Sequence, residues 1–348
     1  MPTWRVDLKR EADLIEEVAR LYGVDRIPAT PPRGAIGANA FDAMHDQIAE
    51  VRRILTGIGL NEAQGQTLIA DTAAALAVNP EVIVRLDNPL SSDMNVLRPS
   101  LLPGLLDMIR HNAHHRQGDV ALFEVGRVFR LKQGQPVEQR HVAIALTGQR
   151  SGAFWGDDDA TMDASDLKGV VEEFLERLGH RGILFARREQ PTGLFIDSGE
   201  ARLGGKLFMG ELGQLLPAIA RQLDVRGGVF LAEFDLDQLL GRRPAAGGFK
   251  PLPAYPAIQR DVAMIVPETI THDEVVQAVK RAKADFLEQV DLFDVFRGKN
   301  IEAGKKSVAY AFTYRHAERT LKDAEATASH DKVIAALRDK LGATIRES

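Results

Sequence analysis

The chain has 348 residues, 45% of them hydrophobic and 27% charged, the proportions of a folded protein long enough to divide into two or three domains. A formal net charge of −5 confines any nucleic-acid contact to a local patch, and the absence of cysteine excludes disulfides, iron–sulfur clusters and thiolate zinc sites. No apolar run approaches the roughly 20 residues of a membrane helix and the start carries no secretory signal, so the chain reads as cytoplasmic.

The first helix is expected from Arg10 to Tyr22, with Leu14, Ile15, Val18 and Leu21 as an apolar stripe and Gly23 as its stop. Such a short helix with one apolar face needs a partner surface. Asp13, Glu16 and Glu17 share its other face, with Asp7 just upstream. Two readings stay open for these carboxylates: oxygen ligands for a hard ion such as Mg²⁺, or a solvated face with Glu16 paired to Arg20. The Pro- and Gly-rich run GVDRIPATPPRGAIGANA then reads as a linker.

Met44, Ile48, Val51, Ile54, Leu55 and Ile58 predict an amphipathic helix over 41–59, and Pro103 to Ile109 opens another. His111, His114 and His115 share one helical face, but without a nearby carboxylate they read as a polar helix end rather than a metal site. ALFEVGRVFRL alternates as a strand and HVAIALTG reads as a second, buried one. Asp157, Asp158 and Asp159 begin like a calcium loop, yet Met162 and Lys168 stand where Gly and Glu are needed. In DASDLKGVVEEFLERLG, Asp163 or Ser165 caps a helix that Gly179 stops; Ser165 and Lys168 fit an SxxK pattern without its companion motifs, which leaves them a cap. RLGGKLFMGEL predicts a hairpin turning on Gly204 and Gly205, not a phosphate loop.

RRPAAGGFKPLPAYP, residues 242 to 256, marks a domain boundary. Beyond it the order strand, helix, strand, strand, helix, strand is the ferredoxin-like βαββαβ pattern. Tyr310, Phe312 and Tyr314 recur every second residue, either as a base-stacking face or as a face packed under the helices. Arg297, Lys299, Lys305 and Lys306, with Arg315 and Arg319, form a weak phosphate-binding patch.

WRVDLKREADLIEEVARLYGVDRIP, NPLSSDMNVLRPSLLPGLL with LFEVGRVF, and YPAIQRDVAMIV with RTLKDAEA resemble, in that order, three segments of the β subunit of bacterial phenylalanyl-tRNA synthetase. The resemblance covers essentially the whole chain. It implies an α+β fold: a C-terminal remnant of a helical domain over 1–30, a class II synthetase-like antiparallel sheet module over 31–243, and a ferredoxin-fold anticodon-binding domain over 254–348. It further implies a Mg²⁺ site shared with the α subunit on Asp7, Asp13, Glu16 and Glu17, an α₂β₂ heterotetramer, tRNA-Phe as partner, and ATP bound by the α subunit.

The central module is expected to be non-catalytic. Class II motif 2 wants an Arg followed two positions later by an acid, whereas Arg130 is followed by Leu131 and Lys132; where motif 3 wants a glycine-rich strand end leading to an Arg, Pro217 intervenes and the Arg comes only at 221. The family's N-terminal tRNA-binding region and editing domain have no counterpart here, so proofreading is not expected, and a start in mid-domain reads as a truncation. The competing functions are a stand-alone RNA-binding protein, which predicts tight, salt-sensitive binding by the chain alone, and a metal-dependent enzyme centred on the acidic helix, which lacks a nucleophile or base nearby in sequence.

Overall fold

Gly23 ends the first helix, α1 (Glu11–Tyr22), with φ near +100°, a conformation only glycine adopts without strain. The computed structural model describes residues 3–30, 40–152, 154–156, 160–242, 252–298 and 301–346. It comprises two compact units, Met1–Gly247 and Gly248–Ser348. The stripe expected on α1 exists, but it faces solvent: Ile15, Val18 and Leu21 are 62%, 67% and 78% exposed. The calcium-like aspartates Asp157 to Asp159 lie outside the described residues.

In the first unit α2 (Ala40–Gly57) leads to β1 (Asn61–Glu62), and a small three-stranded sheet follows. That sheet is made of β2 (Leu68–Ile69), β3 (Val84–Arg85) and β4 (Val96–Leu97), with α3 (Asp71–Ala77) inserted between its first two strands. Next come α4 (Leu102–His114), β5 (Val120–Lys132) and β6 (Gln135–Thr147). β5 and β6 form one long hairpin, turning on Gln133 and Gly134, both at positive φ as a two-residue turn demands.

α5 (Ala164–Arg177) begins at Asp163, whose carboxylate accepts from the amides of Ser165 and Asp166. β7 (Ile183–Arg187), β8 (Phe195–Leu203), β9 (Leu207–Leu215), α6 (Pro217–Gln222), β10 (Val229–Asp235) and α7 (Leu236–Gly241) complete the unit. The hairpin between β8 and β9 turns on Gly204 and Gly205 as expected, but Leu203 pairs with Leu207, so its loop has three residues, not two.

These strands form a seven-stranded sheet in the order β1-β5-β6-β10-β9-β8-β7, antiparallel except for the β1–β5 pair. Each face buries its own core. Val51, Leu55, Leu167, Phe174 and Leu239 pack with Phe123, Ile144 and Phe234 on one side; Leu101, Leu105, Ile109 and Ile219 pack with Ala143, Ala145 and Leu231 on the other. A sheet clad by helices on both faces tolerates buried polar side chains only where they compensate one another.

The second unit runs β11 (Ile258–Pro267), α8 (His272–Ala282), β12 (Leu287–Phe296), β13 (Lys305–Tyr314), α9 (Asp323–Leu341) and β14 (Thr344–Ile345). Its sheet order, β12-β13-β11-β14, is all antiparallel and is that of a ferredoxin fold. Tyr310, Phe312 and Tyr314 are buried beneath α8 and α9, their rings in the core with Val262, Val279 and Val333. The base-stacking alternative is thereby corrected, because a ring without exposed surface cannot receive a base.

Candidate functional site

Strand register builds a line of carboxylates across the large sheet. Glu200 pairs with Glu211, Glu211 with Glu233, Glu233 with Ala143, and Ala143 with Glu124. Residues opposite one another share a face, so four glutamates cross five strands on the α4 side, with only Ala143 between them. Like charges placed directly opposite repel, and each of these carboxylates is held by an arginine or by hydrogen-bond donors.

At the buried end Arg98 Nη1 donates to Glu124 Oε1 at 2.6 Å and its Nε to the Arg127 carbonyl at 2.9 Å. Glu233 accepts from Ser100 Oγ at 2.7 Å and from the Leu101 amide at 2.8 Å, with His141 Nδ1 3.1 Å away in poor alignment. Burial pushes the Glu233 carboxyl up, but His141, Arg130 and the Leu101 amide outweigh it and hold the group below its ordinary range. At the outer end Arg188 bridges Glu211 and Glu200 at 2.6 and 3.2 Å, and Arg202 also binds Glu200. Burial raises Glu200, yet the two arginines leave it below its usual value.

The inner pair is shut off from solvent. Glu124 and Glu233 are 1% and 6% exposed, and a Cβ on Gly126 would stand 2.4 Å from Arg98 Nη2. Glu124 Oε2 has no hydrogen-bond partner among the described residues and abuts Gly65, where a Cβ would come within 3.1 Å of it. Arg130 Nε donates to the Pro99 carbonyl at 2.7 Å. Lys132 reaches Gln139, Pro217 begins α6, and Arg221 lies exposed in the last turn of that helix. Sequence reasoning singled out Arg130 but missed the glutamate line.

The structure does not bring Asp7, Asp13, Glu16 and Glu17 together as ligands. Arg5 stands between Asp7 and Glu17, its Nη2 2.7 and 2.5 Å from their oxygens, and Arg20 takes the other Glu17 oxygen at 2.6 Å. Arg5, then Arg20, hold the Glu17 carboxyl down at about 2. Asp13 accepts from the Lys9 and Arg10 amides at 2.7 Å and so caps α1. Glu16 is exposed and, among the described residues, unpaired; the expected partner Arg20 binds Glu17 instead. Among the described residues no group of three His, Asp or Glu is placed to hold a metal. The His111 and His115 rings lie 4.3 Å apart between centroids, tilted by 37°, at the end of α4, while Lys168 pairs with Glu172.

The cations expected to meet tRNA fall into two sets. Arg297 pairs with Glu268 at 2.7 Å, Lys306 reaches the Glu268 carbonyl, and Lys305 pairs with Glu302. Arg315 pairs with Glu288, and Arg319 with Glu325, whose carboxyl is held down at about 2 by Arg319 and the Lys322 amide. Lys299 lies outside the described residues. The two sets stand at opposite ends of β13, ten residues or about 30 Å apart.

Comparison with known proteins supplies the family. The model for the phenylalanyl tRNA synthetase beta chain CLM domain matches residues 27–236, that for the ferredoxin-fold anticodon binding domain 253–346, and that for the tRNA synthetase B5 domain 1–24. The phenylalanine–tRNA ligase beta subunit of Bacillus licheniformis is 38% identical over 99% of this chain and 43% of its own length. That of Syntrophotalea carbinolica is 34% identical over 99% and 44%. The chain therefore spans less than half the length of these curated relatives. A solved pyrrolysyl tRNA synthetase of Desulfitobacterium hafniense overlaps 66% of this chain and 72% of its own, at 17% identity and a TM-score of 0.45, too distant to bear on function.

Proposed function

Because this chain belongs to the phenylalanyl tRNA synthetase beta-chain family, we propose that it is a non-catalytic scaffold and tRNA-binding portion of a phenylalanine–tRNA ligase. In this reading a catalytic α subunit binds ATP and joins phenylalanine to its tRNA in the cytoplasm, within an α₂β₂ assembly. Residues 31–243 supply a class II-like module that packs against α, residues 254–348 an anticodon-binding domain, and residues 1–30 part of a helical domain. The described residues include no helix long and apolar enough to cross a membrane.

The observation that carries this reading is the closed glutamate line. An ATP site needs cations free to meet phosphate, but Arg98 is committed to Glu124 and Arg130 to a backbone carbonyl. A Mg²⁺ ion shared with α does not fit the acidic helix as placed, since Arg5 occupies Asp7 and Glu17, and no part of the reading runs through that ion. For tRNA, the cations at the two ends of β13 offer phosphate contacts once they exchange their glutamate partners, which suits weak, salt-sensitive binding.

The test is amino-acid-dependent ATP–pyrophosphate exchange with all twenty amino acids, by the chain alone and mixed with an α subunit. Silence alone and phenylalanine-specific exchange on mixing is the expected result. Exchange by the chain alone overturns the non-catalytic reading, and silence in both overturns the claim that this portion suffices to support α.

A further inference from the structure

In the first unit α4 and α6 end in the same way. The Arg116 amide donates to the Ala113 carbonyl and the Gln117 amide to that of Asn112; the Asp224 amide donates to the Arg221 carbonyl and the Val225 amide to that of Ala220. Each pair of bonds is a Schellman stop, whose turning residue is ordinarily glycine because it takes a positive φ. Here the turning residues are Arg116, at φ +64°, and Asp224, at φ +54°. A β-carbon is strained in that conformation, so each stop carries a side chain where glycine would be easier. Capping does not require them. Backbone amides already take the carbonyls of His111, Asn112 and Ala113 in one helix and of Ile219, Ala220 and Arg221 in the other.

Both turning residues line one cavity of about 580 Å³, joined by His114 and Gln117 from the first stop and Arg226 from beyond the second. Ile109 and Val225, both buried, give it an apolar floor. Its charged groups are Arg116 and Arg226, with Asp224 the one carboxylate, 3.8 Å from His114 Nε2. Among the described residues neither arginine has an ion pair or a side-chain hydrogen bond, unlike Arg98 and Arg188, which are committed to glutamates. Thr147 also lines the cavity, four residues along β6 from Ala143. That spacing sets the cavity about 13 Å from the glutamate line.

We propose that this cavity binds a sugar phosphate, with the phosphate held by Arg116 and Arg226 and the sugar hydroxyls by Asp224 and Gln117. A guanidinium is a planar fork of donors matched to phosphate oxygens, and neither arginine has to give up a carboxylate first. A carboxylate accepts from hydroxyls and repels a phosphate, so Asp224 sorts the two ends of the ligand. The volume is that of a small-molecule pocket and exceeds what a bare phosphate fills. A nucleic-acid chain is the poorer occupant, because neutralising its backbone calls for a row of cations along an open surface, whereas two arginines and an aspartate share one concavity here. The inference does not depend on the ligase role, since no step assigned to that role uses the cavity.

The test titrates the whole chain with ribose 5-phosphate and with inorganic phosphate, by calorimetry and by amide hydrogen exchange over residues 113–118 and 222–228. Unphosphorylated ribose and a single-stranded oligouridine serve as comparisons. Ribose 5-phosphate should give a one-site isotherm and slow exchange in both segments, inorganic phosphate should bind about tenfold more weakly, and the comparisons should leave both segments unchanged. Arg116→Gly should weaken both phosphate compounds about tenfold without lowering the melting temperature, because glycine accepts the positive φ while the fork is lost. Asp224→Gly should bring ribose 5-phosphate down to the affinity of inorganic phosphate, again without loss of stability. The proposal is overturned if ribose 5-phosphate gives no saturable binding, or if its binding survives Arg116→Gly combined with Arg226→Gln. Inorganic phosphate binding as tightly as ribose 5-phosphate to the parent chain also overturns it, as does protection of these segments by oligouridine alone.

Discussion

Replacing Arg98 with Met removes one partner of a buried ion pair. The guanidinium side chain is 8% exposed and the Glu124 side chain 1%, with 2.6 Å between them, so the variant leaves a carboxylate in the core with neither oxygen partnered. Breaking such a pair costs about 3–5 kcal/mol, and loss of the bond to the Arg127 carbonyl adds about 1 kcal/mol. Replacing both residues, Arg98→Met with Glu124→Met, removes the stranded charge as well and should return stability to within about 1–2 kcal/mol of the parent. Urea denaturation followed by amide exchange in β5 and β6 reads the first unit separately from the second. A single variant that costs under about 1 kcal/mol would refute the claim of a desolvated pair. The double variant also tests function: in a mixture with α it should retain pyrophosphate exchange, because the pair is assigned to holding the fold. A stable double variant that no longer supports exchange would place Arg98 or Glu124 in contact with the reaction.

Three further outcomes are expected. Arg297→Ala, Lys305→Ala and Lys306→Ala together should weaken tRNA binding and flatten its log–log salt slope by about one for each phosphate no longer neutralised; an unchanged slope removes this end of β13 from the interface. Titrating Mg²⁺ into the chain should give no saturable heat, and a one-site isotherm abolished by Glu17→Ala would show that Arg5 yields to the ion. His330, bonded to Tyr314 Oη at 2.9 Å, is held below the usual histidine range, first by burial and then by Arg260. The unfolded chain therefore binds that proton more tightly, and the contribution, full above the unfolded value of about 6.5, is lost as pH falls toward the folded value. Melting of the second unit between pH 8 and 5 should show this fall, and His330→Gln should lessen it.

Periodicity made much of the fold legible, because α2, α4, α5, β11, α8 and α9 bury one regular face. It failed on β1, β2, β3, β4 and α3, where two-residue strands and one seven-residue helix are too short to hold a period. The glutamate line was hidden for a different reason. Counting back from the turn at Gly204 and Gly205 pairs Glu200 with Gly210; only the bulge between Ala201 and Arg202 shifts it opposite Glu211. The aromatic trio showed a period of two, which fixes that three rings share a face but not which face the helices cover. On the acidic helix, spacing placed the carboxylates correctly along the chain. It gave no sign that Arg5, twelve residues before Glu17, would fold back between them.

The absence of chemistry proposed for the central module and its rigidity trace to the same side chain. Glu233 lies at the middle of the sheet, where a carboxylate could in principle receive a cationic group of a substrate. It instead faces the N-terminus of α4, taking the Leu101 amide and, through Ser100 Oγ, bracing the Leu102 amide as well. A helix N-terminus carries partial positive charge, so the carboxylate satisfies a backbone donor that Leu101, an apolar residue at the cap, cannot satisfy itself. Freeing Glu233 for a ligand would uncap α4 and strip the core of Leu102, Leu105 and Ile109 of its anchor on the sheet. The module can hold α4 with this carboxylate or offer it to a substrate, not both, and the non-catalytic scaffold proposed for it is served by the first.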